Sequence, residues 1–180
     1  MPSPRTPHAE GLVTRADPTE RADLDSLDYE VLLALQADGR KSNLALARSL
    51  DLSPSAMLGR VRRLERSGAI RGYHAIIDPA ALGSTVRAFM VACLKEHSER
   101  SIGEFEKRIR NVPGVRACYH LTGQYDMFVE LALRDLDHLG QLIKHDVAAI
   151  PGVYSVETML VYSEVKPDAG WPVPTDGEDE

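Results

Sequence analysis

The stretch Leu52-Ser-Pro-Ser-Ala-Met-Leu-Gly-Arg-Val-Arg-Arg-Leu-Glu-Arg66 reads as a short helix with a marked start and one strongly basic face. Ser53 is a good N-cap, because its hydroxyl accepts from an otherwise orphan backbone N–H. Pro54 suits the first helical position, where no N–H is needed. Leu52 and Met57 stand where a hydrophobic staple forms. At about 100° per residue, Met57, Val61, Leu64 and Gly68 fall on one side. Ser55, Ala56, Gly59, Arg60, Arg62, Arg63 and Arg66 fall on the other. Such a helix packs along one stripe and offers arginines to phosphates and base edges along the other. An arginine-rich face is also often simply solvated, so the residues before it decide between the two readings.

Those residues spell two more helices. Leu24, Leu27, Val31, Leu32 and Leu35 recur at helical spacing, with Asp25, Asp28 and Glu30 near the start, where the helix dipole favours anions. Gly39 is expected to end this helix. Ser42 caps the next, whose apolar positions are Leu44, Leu46, Ala47 and Leu50. Asp51-Leu52 is a tight connection, and aspartate tolerates a left-handed backbone. Three helices with a very short turn before the last match helix-turn-helix geometry. Gly68 closes the third helix, and Ile70 to Ile77 reads as an extended wing or linker strand that Asp78-Pro79 breaks.

Charge supports the nucleic-acid reading only when it is localised. The 180-residue chain carries −6 overall. Residues 40–71 carry +6, between −5 for residues 1–39 and −7 for residues 72–180. A basic segment between two acidic ones is a local footprint that total charge conceals. No apolar run approaches the roughly 20 residues that span a bilayer, and the start of the chain lacks a secretory h-region. The cysteines are Cys93 and Cys118, both in strand-like apolar runs. Free thiols and a reducing cytoplasm are the simplest setting.

The pattern changes after residue 84. Thr85–Leu94 is a strand; Ser98 starts a helix with Ile102, Phe105 and Ile109 inward. Val115–Leu121 and Asp126–Leu133 are strands around a turn at Thr122–Tyr125. Asp135 caps a helix carrying Leu136, Leu139, Leu142, Ile143 and Val147, and Val153–Tyr162 is the last strand. Asn111-Val-Pro-Gly-Val115 recurs as Ala149-Ile-Pro-Gly-Val153, 38 residues later, so the order β-α-β-β-α-β is built from two similar units. The expectation is an α+β chain: a winged helix-turn-helix followed by a ferredoxin-like sandwich. Its domains are a disordered tail over 1–22, a DNA-binding domain over 23–71, a linker over 72–84, a ferredoxin-like oligomerisation domain over 85–163, and an acidic disordered tail over 164–180, in which Trp171 is the residue that could dock. Helices on one face leave the other face of the sheet uncovered and apolar, which predicts a homodimer.

The chain resembles the leucine-responsive regulator/AsnC (Lrp/AsnC) family of transcription regulators. The residues that carry the resemblance include Leu24-Asp25 with Asp28, Leu52-Ser53-Pro54, Arg60-Val61 with Leu64-Glu65, Asp78-Pro79, Pro113-Gly114-Val115, Thr122-Gly123, Tyr125-Asp126 and Pro151-Gly152-Val153. The resemblance implies a winged helix-turn-helix joined to an amino-acid-binding ferredoxin-like domain. It also implies dimers that assemble up to octamers, and small effectors that alter assembly or DNA affinity. Carried over residue by residue, Ser55, Ala56 and Gly59 stand where the family approaches base edges. Arg60, Arg62 and Arg63 stand where it meets backbone and groove. Ser53 belongs to the same helix start, and Lys41 lies within reach of phosphate near the second helix. Gly59 costs about 1 kcal/mol relative to alanine; it either permits close approach to DNA or is drift.

The effector turn is then Leu121, Thr122, Gly123, Gln124, Tyr125 and Asp126. Gln124 stands where the family often has an acidic residue and cannot supply a charge for an α-ammonium group; Asp126 remains to do so. Gly123 also fits a plain hairpin turn that needs no ligand. No catalytic constellation, metal site or cofactor is expected: His138 and His145 lie seven residues apart with no zinc-like spacing around them. The functional expectation is a sequence-specific, effector-modulated DNA-binding regulator, with double-stranded DNA as partner and no membrane. The alternative is a low-specificity architectural protein that coats DNA without an effector.

Overall fold

A computed structural model of the chain describes residues 23–174 and divides it into two units. The sequence expectations for residues 1–22 and 175–180 lie outside the described residues.

The first unit is helical. Helix α1 spans Ser26–Ala37, α2 Asn43–Ser49 and α3 Pro54–Arg66. Each begins on a side-chain cap: Asp25, Ser42 and Ser53 accept from the backbone N–H groups of Asp28, Ala45 and Ala56. Asp51 takes the left-handed conformation expected of it, φ 52°. The Leu52 N–H donates to Ala47 O at 2.9 Å, which closes the turn between α2 and α3. Val31, Leu46, Ala47, Met57, Val61 and Leu64 form the core, with Leu52 packed on it as the staple requires.

Helix α1 ends at Ala37 with Gly39 just past its C-cap, as expected; Asp38 turns extended and its carboxylate accepts the Arg40 N–H at 3.0 Å. A short polar side chain thus competes with the helix for the backbone. The segment Ile70–Ile77 forms no strand: among the described residues it finds no neighbour to pair with, and from Arg71 onward it is exposed coil. The tail expected over 164–180 also differs. Residues 167–174 pack with the first unit. The Trp171 N–H donates to Gln36 Oε1 (2.9 Å) and Gln36 Nε2 donates to Trp171 O (2.7 Å). Trp171 therefore docks through its backbone, and its side chain stays exposed.

The second unit carries strands β1 (Val86–Leu94), β2 (Val115–His120), β3 (Met127–Leu133) and β4 (Val153–Leu160). They form an antiparallel sheet in the order β2-β3-β1-β4. Helix α4 (Glu99–Ile109) joins β1 to β2. Helix α5 (Leu136–Gln141), continued by a π-helical turn over Leu142–Val147, joins β3 to β4. This is the expected ferredoxin-like sandwich. The two Pro-Gly turns do the same job in each half. Gly114 O accepts the Ala132 N–H (2.9 Å) and Gly152 O accepts the Lys95 N–H (2.7 Å), so each turn docks on an inner strand. Both glycines have φ near +90°, which L side chains rarely adopt.

Period-2 alternation sends Ala88, Met90, Ala92 and Leu94 of β1 and Met127, Val129, Leu131 and Leu133 of β3 under the helices, against Phe105, Ile109, Leu139, Leu142 and Val147. Leu136 is 59% exposed and stays outside this core, contrary to expectation. It is the first residue of α5, and Leu139 makes the inward contact instead. The opposite face bears Phe89, stacked on Phe128 with centroids 5.2 Å apart, and Tyr119 at 6.1 Å from Phe128. Val91 and Met159 lie on the same face by register.

Candidate nucleic-acid interface and effector turn

Helix α3 buries Met57, Val61 and Leu64 and leaves Ser55, Ala56, Gly59, Arg62 and Arg66 exposed. The face division follows from the 3.6-residue period. A Cβ added at Gly59 would meet nothing within 4 Å, so nothing inside the chain demands glycine there. Ser53 spends its hydroxyl on capping and on a 3.2 Å contact with Ser55 Oγ. Lys41 is half-buried just before α2.

The four central arginines separate into two pairs. Arg62 and Arg66 point to solvent, with Arg66 Nε donating to the Arg62 carbonyl at 3.2 Å. Arg60 and Arg63 instead reach the start of α1. Arg60 Nη1 donates to both oxygens of Asp25 (2.6 and 2.8 Å) and to Asp28 Oδ1 (2.5 Å). Arg63 Nη2 donates to Asp28 Oδ2. Asp28 is wholly buried, and its carboxylate also accepts the Asp25 N–H at 3.2 Å, one half of a capping box. A buried carboxylate survives only with such partners. The Arg60 guanidinium beside Asp25 holds that carboxyl below its usual range, and Asp25 in turn raises Arg60.

Sequence reasoning placed Arg60 and Arg63 on the DNA face and Asp25 and Asp28 as charges for the α1 dipole. It missed the clamp between them. Asp25 and Asp28 stand three apart at the start of α1 and Arg60 and Arg63 three apart on α3, but only the packing of the two helices pairs them.

In the second unit the turn between β2 and β3 is closed by the Leu121 N–H donating to Asp126 O at 2.8 Å. Leu121, Thr122, Gly123 and Gln124 are exposed, and Gly123 has φ 127°. Asp126 differs from its neighbours. It is 9% exposed; Oδ2 accepts the Leu94 N–H at 2.7 Å, and Oδ1 lies 2.9 Å from His97 Nε2. Its carboxylate, expected to remain for an ammonium group, instead ties the end of β1 to the turn and faces His97. The Tyr125 hydroxyl donates to Glu157 Oε2 at 3.0 Å, which raises the phenol above its usual range. His97, Glu157 and Cys93, whose thiol contacts Gln124 O at 3.5 Å, all border the turn. Strand register brings them there, and no linear spacing announces it. Cys118 packs against the core on β2, and burial pushes its thiol up to about 11.

The model of the Lrp/AsnC ligand binding domain matches residues 87–171, and that of winged helix-turn-helix DNA-binding matches residues 24–71. The chain belongs to the Lrp/AsnC family of transcriptional regulators. This regulator is 36% identical to the HTH-type transcriptional regulator AldR of Mycolicibacterium smegmatis, over 80% of its own length and 84% of the relative's. It is 33% identical to the leucine-responsive regulatory protein of Escherichia coli, over 80% and 88% of the two chains. Among solved structures it is similar to a transcriptional regulator of Neisseria meningitidis in complex with L-methionine. The TM-score is 0.78 at 28% identity, covering 83% of this chain and 96% of the other. These relatives are regulators and not enzymes. The Lrp/AsnC regulator thus joins a DNA-binding unit to a ligand-binding unit. Among the described residues no group of three His, Cys, Asp or Glu stands where it could hold a metal ion, and no helix is long and apolar enough to cross a membrane.

Proposed function

We propose that this regulator binds double-stranded DNA sequence-specifically as a cytoplasmic homodimer, and that an amino acid received near the β2–β3 turn modulates it. The observation that carries the DNA reading is the solvent edge of α3. Ser55, Ala56 and Gly59 form a low surface fit for close approach to base edges, and Arg62 and Arg66 flank it with free positive charge. Lys41 adds a phosphate contact near α2, while Ser53 acts through the helix cap.

The open sheet face supports the homodimer. Phe89, Phe128, Tyr119, Val91 and Met159 make an apolar patch across the strands, and a second copy of the same face buries it isologously. Further assembly of dimers, up to an octamer, follows the family. Sedimentation at micromolar concentration checks this: a dimer or larger species is expected, and Phe128→Glu is expected to give monomers.

The effector turn supports a small ligand through its exposed Leu121–Gln124 segment, but its charge is spent. With Gln124 neutral and Asp126 paired, an α-ammonium group finds its acceptor only if His97 yields or another carboxylate, such as Glu157, serves. That same observation favours the second reading, an architectural protein without effector. Fluorescence anisotropy with DNA from upstream of the protein's own gene, against scrambled DNA, with and without pooled amino acids, separates them. Selective binding that shifts with the pool is the expected result. Equal binding to both DNAs, unmoved by the pool, establishes the architectural reading instead.

A further inference from the structure

An open hollow of about 360 Å³ lies between α3 and the start of α1, lined by Asp25, Leu52, Ala56, Gly59, Arg60 and Arg63. Small residues one turn apart on α3, Ala56 and Gly59, keep it open. Two guanidinium groups edge it, and a carboxylate occupies one of them: Arg60 Nη1 holds both oxygens of Asp25. The two acids of the clamp differ in a way that assigns their roles. The Asp28 side chain is 0% exposed and takes a bond from each arginine, whereas the Asp25 side chain is 53% exposed and takes its side-chain bonds from Arg60 alone. Asp28 is a fixed anchor, and Asp25, whose Oδ1 also caps the Asp28 N–H at 2.8 Å, can release Arg60 while keeping that cap.

Carboxylates and phosphates are alternative ligands for the same guanidinium fork. We infer that this hollow is a seat for a backbone phosphate of DNA, filled in the free protein by Asp25 as an internal stand-in that binding displaces. The inference rests on the DNA-binding reading above. Asp28 keeps Arg60 and Arg63 aimed while Asp25 gives up Arg60. Among the described residues, the clamp takes one amino group from each arginine, Nη1 of Arg60 and Nη2 of Arg63, and leaves further N–H donors on both for a phosphate. The absent side chain at Gly59 lets the sugar-phosphate strand approach the helix. Asp25 therefore sets a threshold. DNA that touches only Arg62 and Arg66 leaves Arg60 on Asp25, and only DNA seated fully against α3 takes Arg60 from it.

The test is Asp25→Asn, because asparagine keeps the N-cap and removes the charge; Asp25→Ser, another uncharged cap, serves where the first fails to fold. Affinity for the upstream DNA is measured by anisotropy across a salt series, in the natural and the Arg60→Ala backgrounds. Glu30→Gln, an exposed acid on the same helix, controls for generic charge removal. The expected result for Asp25→Asn is several-fold tighter binding with an unchanged log–log salt slope, because the Arg60–phosphate contact forms in both proteins and only the displacement of the carboxylate is lost. The gain in affinity should vanish with Arg60→Ala and be absent from Glu30→Gln. An Asp25→Asn protein that matches the natural one, or a gain that persists without Arg60, overturns the seat while leaving DNA binding intact. A natural protein that binds no DNA overturns both.

Discussion

The two units of this chain reach stability by different routes. The second is a sandwich whose helices and sheet enclose a continuous apolar core, from Phe105 and Ile109 on α4 across Met90, Val129 and Leu131 to Leu142 and Val147. The first has a far smaller apolar centre and supplements it with helix caps and a four-residue charge clamp. The contrast reflects size and duty. A three-helix unit cannot bury much surface, and a helix that must keep one face polar for DNA can give only its other face to packing. Fixed charge contacts then hold α3 against α1 where apolar contacts run out.

Breaking the larger core should produce the largest effect. Phe105→Ala removes a fully buried ring and is expected to cost the second unit about 3–5 kcal/mol in urea unfolding, with the helical unit's own contacts untouched. Asp28→Ala attacks the other strategy. It removes the acceptor of both arginines and one half of the capping box, and is expected to cost the first unit about 2–3 kcal/mol.

A finer comparison lies within the second unit. A Cβ at Gly114 would stand 2.5 Å from Leu133 Cδ2, while one at Gly152 meets nothing within 4 Å. Both positions share the left-handed strain, so Gly114→Ala should lower the thermal midpoint more than Gly152→Ala, the difference being about 1–2 kcal/mol of steric cost. Equal losses would mean that backbone conformation alone governs both turns.

The smallest expected effect concerns acid. Asp25 has a lowered pKa, because Arg60 hydrogen-bonds its charged form. A lowered folded-state pKa stabilises above the ordinary carboxylate range, and that contribution disappears as pH falls through the depressed value. Asp25→Asn should therefore flatten the acid limb of the first unit's stability below about pH 4, by less than about 1 kcal/mol because the Asp25 side chain is half exposed.

Much of this was legible in the chain. Ser42, Ser53, Asp51 and Asp135 announced their turns and caps because such signals are local. The repeated Pro-Gly-Val and period-2 alternation gave the sandwich, because each strand's burial follows its own side-chain order. What remained hidden depended on contacts far apart in sequence. Arg60 and Arg63 were legible as positive charge but not as partners of Asp25 and Asp28, more than 30 residues earlier. Asp126 read as a free carboxylate because nothing local marks the Leu94 N–H and His97 that claim it. Ile70–Ile77 looked like a strand, since β-branched residues favour extension, but a strand also needs a neighbour.

Hydroxyl-radical footprinting on the DNA upstream of the protein's own gene tests the central claim, that α3 reads DNA through its exposed edge. The account predicts two protected patches per dimer, about 10 bp or a multiple of it apart. Both patches should be lost when Arg62→Ala and Arg66→Ala are combined in a protein that still folds. Diffuse protection indifferent to sequence, or a footprint that survives the loss of both arginines, would contradict it.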